Sequence, residues 1–118
     1  MRNFSELIVW QKCHQLTLKI YSITRHYPKE EVYGLVSQMR RSSSSAPTNI
    51  AEGCGRNSDA EMKRFLTIAS GSTSELEYQL CLSRDLNYIT EATFKELSDF
   101  AIENRKMMYS FIEKLALR

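Results

Sequence analysis

The chain has 118 residues, 42% apolar and 25% charged, with 16 basic against 14 acidic side chains and a net charge of +2. That length suffices for one domain over residues 1–118 with a sizeable core and no need of a metal or disulfide. The composition excludes disordered and collagen-like classes. Four glycines and two prolines are about half the usual share, so turns are few and elements long.

A charge this near balance argues for a nucleic-acid partner only through its distribution. Cys13, Cys54 and Cys81 are odd in number, form no CxxC and fit no zinc spacing, which predicts reduced, partly buried thiols in a cytoplasmic protein. The first residues offer no uninterrupted apolar stretch for a secretion signal. The longest apolar run, Leu7 to Trp10, is far below the ~20 residues of a membrane span, so no membrane partner is expected.

The first predicted helix covers residues 6 to about 26, with Ser5 as N-cap and Glu6 at the positive end of the dipole. Ile8, Val9, Cys13, Leu16, Ile20, Ile23 and Tyr27 recur at spacings of three and four. Leu7, Trp10, Thr17, Tyr21 and Thr24 form a second, weaker face, as expected of a helix with more than one neighbour.

Pro28 suits the first turn of a second helix, predicted over residues 28 to 52, with acids at Glu30 and Glu31. Its inward face reads Val32, Leu35, Val36, Met39, Ser43, Ala46 and Ile50. Pro47 falls inside, where it removes one hydrogen bond and clashes with the carbonyl of Ser43, so a kink is expected. The serines at 42–45 are placed to satisfy freed backbone groups. The alternative is two helices broken near Ser44.

Residues 53–57 read as the clearest loop, with Gly53 as C-cap residue and Cys54 as a plain loop cysteine. Ser58 and Glu61 then form a capping box for a third helix, residues 59 to about 87. Its stripe is Met62, Phe65, Leu66, Ala69, Thr73, Leu76, Leu80 and Ser83. The small residues at 69–74, Gly71 among them, suggest close approach of another helix. Thr90 caps a fourth helix that runs to about residue 116, with Phe94, Leu97, Ala101, Asn104, Met108, Phe111, Ile112 and Leu115 inward. No alternation of period two is long enough for a strand. Short connections make sequential helices antiparallel, and the predicted fold is an all-α, up-down-up-down four-helix bundle.

The segments FSELIVWQKC at 4–13, YGLVSQMRRSSSSAPTNIAEGCGR at 33–56 and RFLTIASGSTSELEYQL at 64–80 resemble the four-helix-bundle proteins encoded in intervening sequences of bacterial 23S rRNA genes (S23-like). The resemblance covers nearly the whole chain. It implies a homopentamer of antiparallel bundles and a relation to the accessory variability proteins of diversity-generating retroelements, which partner a reverse transcriptase and bind nucleic acid. Ala46 stands where branched apolar residues are common in the family, and the serines at 43–45 where alanine is.

Five cations, Arg40, Arg41, Arg56, Lys63 and Arg64, carry the candidate phosphate-binding patch, with Glu52, Asp59 and Glu61 among them. The competing reading pairs Arg41 or Arg64 with Glu52 or Glu61, or places them in a subunit interface. A ring of subunits would repeat a weak patch and add avidity, with backbone contact rather than base readout.

Asn49 and Glu52, three apart on one helical face, read as a structural polar pair; no base or second carboxylate accompanies them. His14 and His26 lie about 18 Å apart along one helix and cannot share a metal. No HxxxH, GxGxxG or GxxxxGK pattern occurs, so neither a metal nor a cofactor is expected. Cys54 and the serine run have no evident base. Trp10, Tyr33 and Tyr78 offer base-stacking rings, although aromatics at helical spacing more often anchor a core or interface. The expected function is non-enzymatic: either electrostatic binding of RNA or DNA, or a scaffold docking a partner protein such as a reverse transcriptase.

Overall fold

The computed structural model describes residues 2–117. Its helices are α1 (Ile8–Thr24), α2 (Leu35–Cys54), α3 (Asp59–Asp85) and α4 (Glu91–Ala116), with single 3₁₀ turns at Phe4–Glu6 and Lys29–Glu31. No strand occurs among the described residues. Each helix touches two others, in the order α1, α2, α3, α4 and back to α1. Partners run in opposite directions across each contact. Thr17 and Thr24 meet Ser43 and Arg40, Ser42 and Ser45 meet Gln79 and Ser72, and Glu77 meets Arg105. On the fourth side Lys19 meets Glu96. The four-helix bundle expected from periodicity is the observed fold.

Two of the expected N-caps are formed. Ser58 accepts from the Glu61 N–H at 3.1 Å, and Thr90 from the Thr93 N–H at 3.1 Å. At the start of the chain the cap is Asn3 rather than Ser5. Asn3 Oδ1 accepts both the Ser5 N–H at 3.1 Å and the Ser5 hydroxyl at 2.7 Å, which winds a 3₁₀ turn and delays α1 to Ile8. The far end closes early for a related reason. The His26 and Tyr27 N–H groups bond three residues back, to Ile23 and Thr24, which tightens the chain out of the α-helix. The third helix stops at Asp85, two residues short of the expected end, because Asn87 turns left-handed (φ 64°). Tyr88 N–H then reaches Ser83 O and Asn87 N–H reaches Arg84 O, a Schellman closure.

The start of α2 departs furthest from expectation. Pro28 is extended (ψ 146°) and precedes a 3₁₀ turn instead of opening the helix. Glu31 decides this. Its carboxylate accepts the Leu35 N–H at 3.2 Å and the Tyr88 hydroxyl at 2.8 Å, fixing the first turn of α2 to the α3–α4 corner. Val32, expected in the buried stripe, lies in the resulting turn and is half exposed.

The other end of α2 runs past Glu52 to Cys54, and Gly55 caps it. Gly53 is therefore inside the helix, pressed on α3: a Cβ there would lie 2.9 Å from Met62 Sδ and 3.1 Å from Phe65 Cβ. Gly71 has the opposite environment, with nothing within 4 Å of an added Cβ. The α2–α3 contact is made instead by Ser42 on Gln79 and Ser45 on Ser72, with Ala46 and Ala69 buried in one cluster. Gly71→Ala is accordingly expected to raise stability by roughly 1 kcal/mol, the helix-interior cost of glycine, in a urea melt.

Pro47 sits in an unbroken α2, so the chain does not divide near Ser44. The proline deprives the Ser43 carbonyl of its usual donor. Thr17 of α1 replaces that donor, its hydroxyl lying 2.8 Å from Ser43 O and 3.0 Å from Cys13 O. The hydroxyls of Ser43 and Ser44 are turned to carbonyls three residues back and that of Ser42 to Gln79, so the serine run does not supply this bond.

The core is two apolar clusters stacked along the bundle. One holds Val9, Cys13, Ile50, Met62, Leu66 and Met108; the other holds Leu16, Ile20, Met39, Leu76, Leu80 and Leu97. Between them lies a layer of small buried polar residues, Thr17, Ser42, Ser43, Ser70 and Thr73, with Asn104. Most are satisfied: Ser42 donates to Gln79 Oε1 at 2.6 Å and Thr73 to Ala69 O at 3.0 Å. The Asn104 Nδ2 is buried without a partner. The α1–α4 side is the least closed. Along it Ile8 is exposed, and Phe111 and Ile112 are only half buried, where the stripe predicted burial for all three.

Candidate nucleic-acid interface

The five predicted cations separate into two groups. Arg40 and Arg41 sit in the first half of α2, whereas Arg56, Lys63 and Arg64 gather where α2 gives way to α3. The helical rise puts about 20 Å between the groups, so they do not form one patch.

In the second group Arg56 pairs with Glu52 at 3.5 Å and Arg64 with Glu61 at 3.1 Å. Both guanidiniums also lie over the Phe65 ring, 5.2 and 4.7 Å from its centroid. Glu52 is thus occupied by Arg56. Asn49 turns away from it, donating to the carbonyl of Ser45 at 2.8 Å and its hydroxyl at 3.0 Å, while Ser45 Oγ meets Ser72 Oγ across α3. The expected polar pair is two separate structural contacts. Lys63 makes no ion pair among the described residues.

In the first group Arg40 is braced against α1. Its Nε donates to Thr24 Oγ1 at 3.0 Å, its Nη2 to Tyr21 O at 3.3 Å, and its guanidinium lies 4.6 Å from the Tyr21 ring centroid. All these acceptors are neutral, so the charge is fixed in place with no ion pair among the described residues. Arg41 is exposed and has no ion pair among the described residues. The two arginines line a groove of about 430 Å³ with Tyr21, Tyr33, Ser37 and Ser44, and no carboxylate lines it. Tyr33 projects into solvent, 96% exposed.

Of the remaining candidates Tyr78 is exposed on α3, away from the groove, and Trp10, His14, Cys13 and Cys54 are in packing contacts. His14 stacks on Trp10 with centroids 5.0 Å apart, and Trp10 also meets Phe4 at 4.9 Å. Cys54, expected in a loop, is the last residue of α2 and buried, which pushes its thiol pKa up. Burial drives Cys13 further, up to about 12, so at neutral pH it is a thiol and not a nucleophile. Among the described residues no group of His, Cys, Asp and Glu is arranged to hold a metal ion, and no helix is long and apolar enough to cross a membrane.

The sequence profile of the family described as 23S rRNA-intervening sequence protein matches residues 5–110. The chain belongs to this family. A crystal structure of a protein of unknown function from the S23 ribosomal protein family of Bacteroides thetaiotaomicron is similar over 89% of this chain and 98% of that one, at 26% identity and a TM-score of 0.80. Among curated proteins, none matches. Family membership accounts for the bundle and leaves the surface to be interpreted.

One part of that surface was hidden from sequence reasoning. With residues 28–34 taken as helical, Tyr33 is one of three candidate stacking rings with no place beside Arg40 and Arg41, and Tyr21 is one residue of a weak face. The readable signal was Tyr33-Gly34, a turn-prone pair directly ahead of the run that begins at Leu35.

Proposed function

We propose that this member of the 23S rRNA-intervening sequence protein family is a non-enzymatic protein that binds the phosphate backbone of RNA or DNA, working as the homopentamer its family resemblance implies. The observation that carries the reading is the carboxylate-free groove in which Arg40 is fixed and Arg41 has no ion pair among the described residues. Lys63 adds a cation elsewhere that has no ion pair among the described residues. Arg56 and Arg64 contribute less, because a phosphate there competes with Glu52 and Glu61.

Titration with RNA and DNA over a range of salt tests this. Log K is expected to fall with log salt at a slope near −0.7 to −0.9 per phosphate contacted. Arg41→Ala should weaken binding and flatten that slope by about one contact while leaving the helical circular dichroism unchanged. Absence of binding at low salt would overturn the proposal. Light scattering measures the number of subunits.

The pairing of Arg56 and Arg64 with carboxylates and Phe65 favours a second reading for that end of the bundle, a scaffold that docks a partner protein such as a reverse transcriptase without touching nucleic acid. Under it, Arg56→Ala and Arg64→Ala leave nucleic-acid affinity unchanged and weaken the protein complex.

A further inference from the structure

We infer that the groove between α1 and the start of α2 takes an unpaired nucleotide strand, with a base stacked on Tyr33 and its phosphate held by Arg40 and Arg41. This rests on the backbone-binding reading above and adds the form of the nucleic acid and the side chain that selects it.

The fold has no use for the Tyr33 ring, which is 96% exposed. The turn that presents it is nevertheless fixed. Val32 N–H bonds Lys29 O at 3.2 Å, Gly34 N–H bonds Glu31 O at 3.0 Å, and the Glu31 carboxylate is held between Leu35 N–H and the Tyr88 hydroxyl. A ring offered on a fixed turn loses little freedom when a ligand covers it. Across the groove the Tyr21 ring is already covered by the Arg40 guanidinium, so Tyr33 is the free stacking face. Arg40 keeps its positive charge without a carboxylate, and Arg41 follows it in the chain. An aromatic face beside guanidiniums in a groove lined by no carboxylate matches the alternation of base and phosphate in a strand. In a duplex the base faces are already stacked on each other and reach Tyr33 only at an end.

The test uses the full chain with a short labelled oligouridylate, the same strand made abasic, a duplex of equal length and free uridine monophosphate. The oligouridylate is expected to bind more tightly than the other three. Tyr33→Ala should lose roughly five- to hundredfold in affinity for the oligouridylate and almost nothing for the abasic strand. Tyr33→Phe, which keeps the ring, should bind like the parent. Equal binding of duplex and single strand, an unaffected Tyr33→Ala variant, or a mononucleotide that binds as well as the strand would each overturn the assignment and leave backbone binding standing. If no nucleic acid binds at low salt, both fall together.

Discussion

Thr17→Val is expected to destabilise the bundle by roughly 1–3 kcal/mol, the cost of a buried carbonyl left without a donor. The substitution is nearly isosteric, so it opens little cavity. What it removes is the hydroxyl that reaches Ser43 O at 2.8 Å in place of the N–H that Pro47 lacks. The decisive measurement is a double-mutant cycle in urea. In a Pro47→Ala background the restored backbone N–H at position 47 is available to Ser43 O, and the Thr17→Val penalty should shrink to a few tenths of a kcal/mol. Equal penalties in both backgrounds would show that Thr17 acts only through its own packing.

Gly53→Val is expected to cost roughly 3 kcal/mol, at the upper end of overpacking effects. The obstacle is specific. Phe65 Cβ is bonded directly to the α3 backbone and cannot rotate away, and Met62, whose Sδ is the nearest atom, is fully buried. The two helix ends must separate, which also disturbs the ring on which Arg56 and Arg64 rest. Gly55→Ala, two residues on, meets only backbone oxygens at 3.5 Å and beyond, and should leave the urea midpoint almost unchanged. Similar losses at both positions would mean that loop freedom, rather than helix contact, is what glycine supplies here.

The bundle itself was legible because the apolar spacing is regular. Met39, Ile50, Leu66, Leu76, Leu80 and Met108 fall on their predicted stripes and are fully buried. Ser58 and Thr90 announced their helices because capping is local. The start of α2 was not legible, since Pro28 followed by acids suits a helix N-terminus as well as a 3₁₀ turn. The choice depends on Tyr88, 57 residues beyond Glu31. The donor to Ser43 O was hidden in the same way, 26 residues back in α1. The separation of the cations was readable from helical rise alone. The Tyr33 groove was not, because it exists only once residues 28–34 leave the helix.

The open side of the bundle joins the first helix of the chain to the last. Synthesis runs from the N-terminus, so α1 is released with one of its two neighbours not yet made. It can dock on α2 through Thr17 and Arg40 as soon as that helix emerges. Until α4 follows, the greasy side chains of Val9, Cys13, Leu16 and Ile20 remain uncovered along one flank. A nascent chain halted before Glu91 would therefore be a chaperone client rather than a smaller version of the fold.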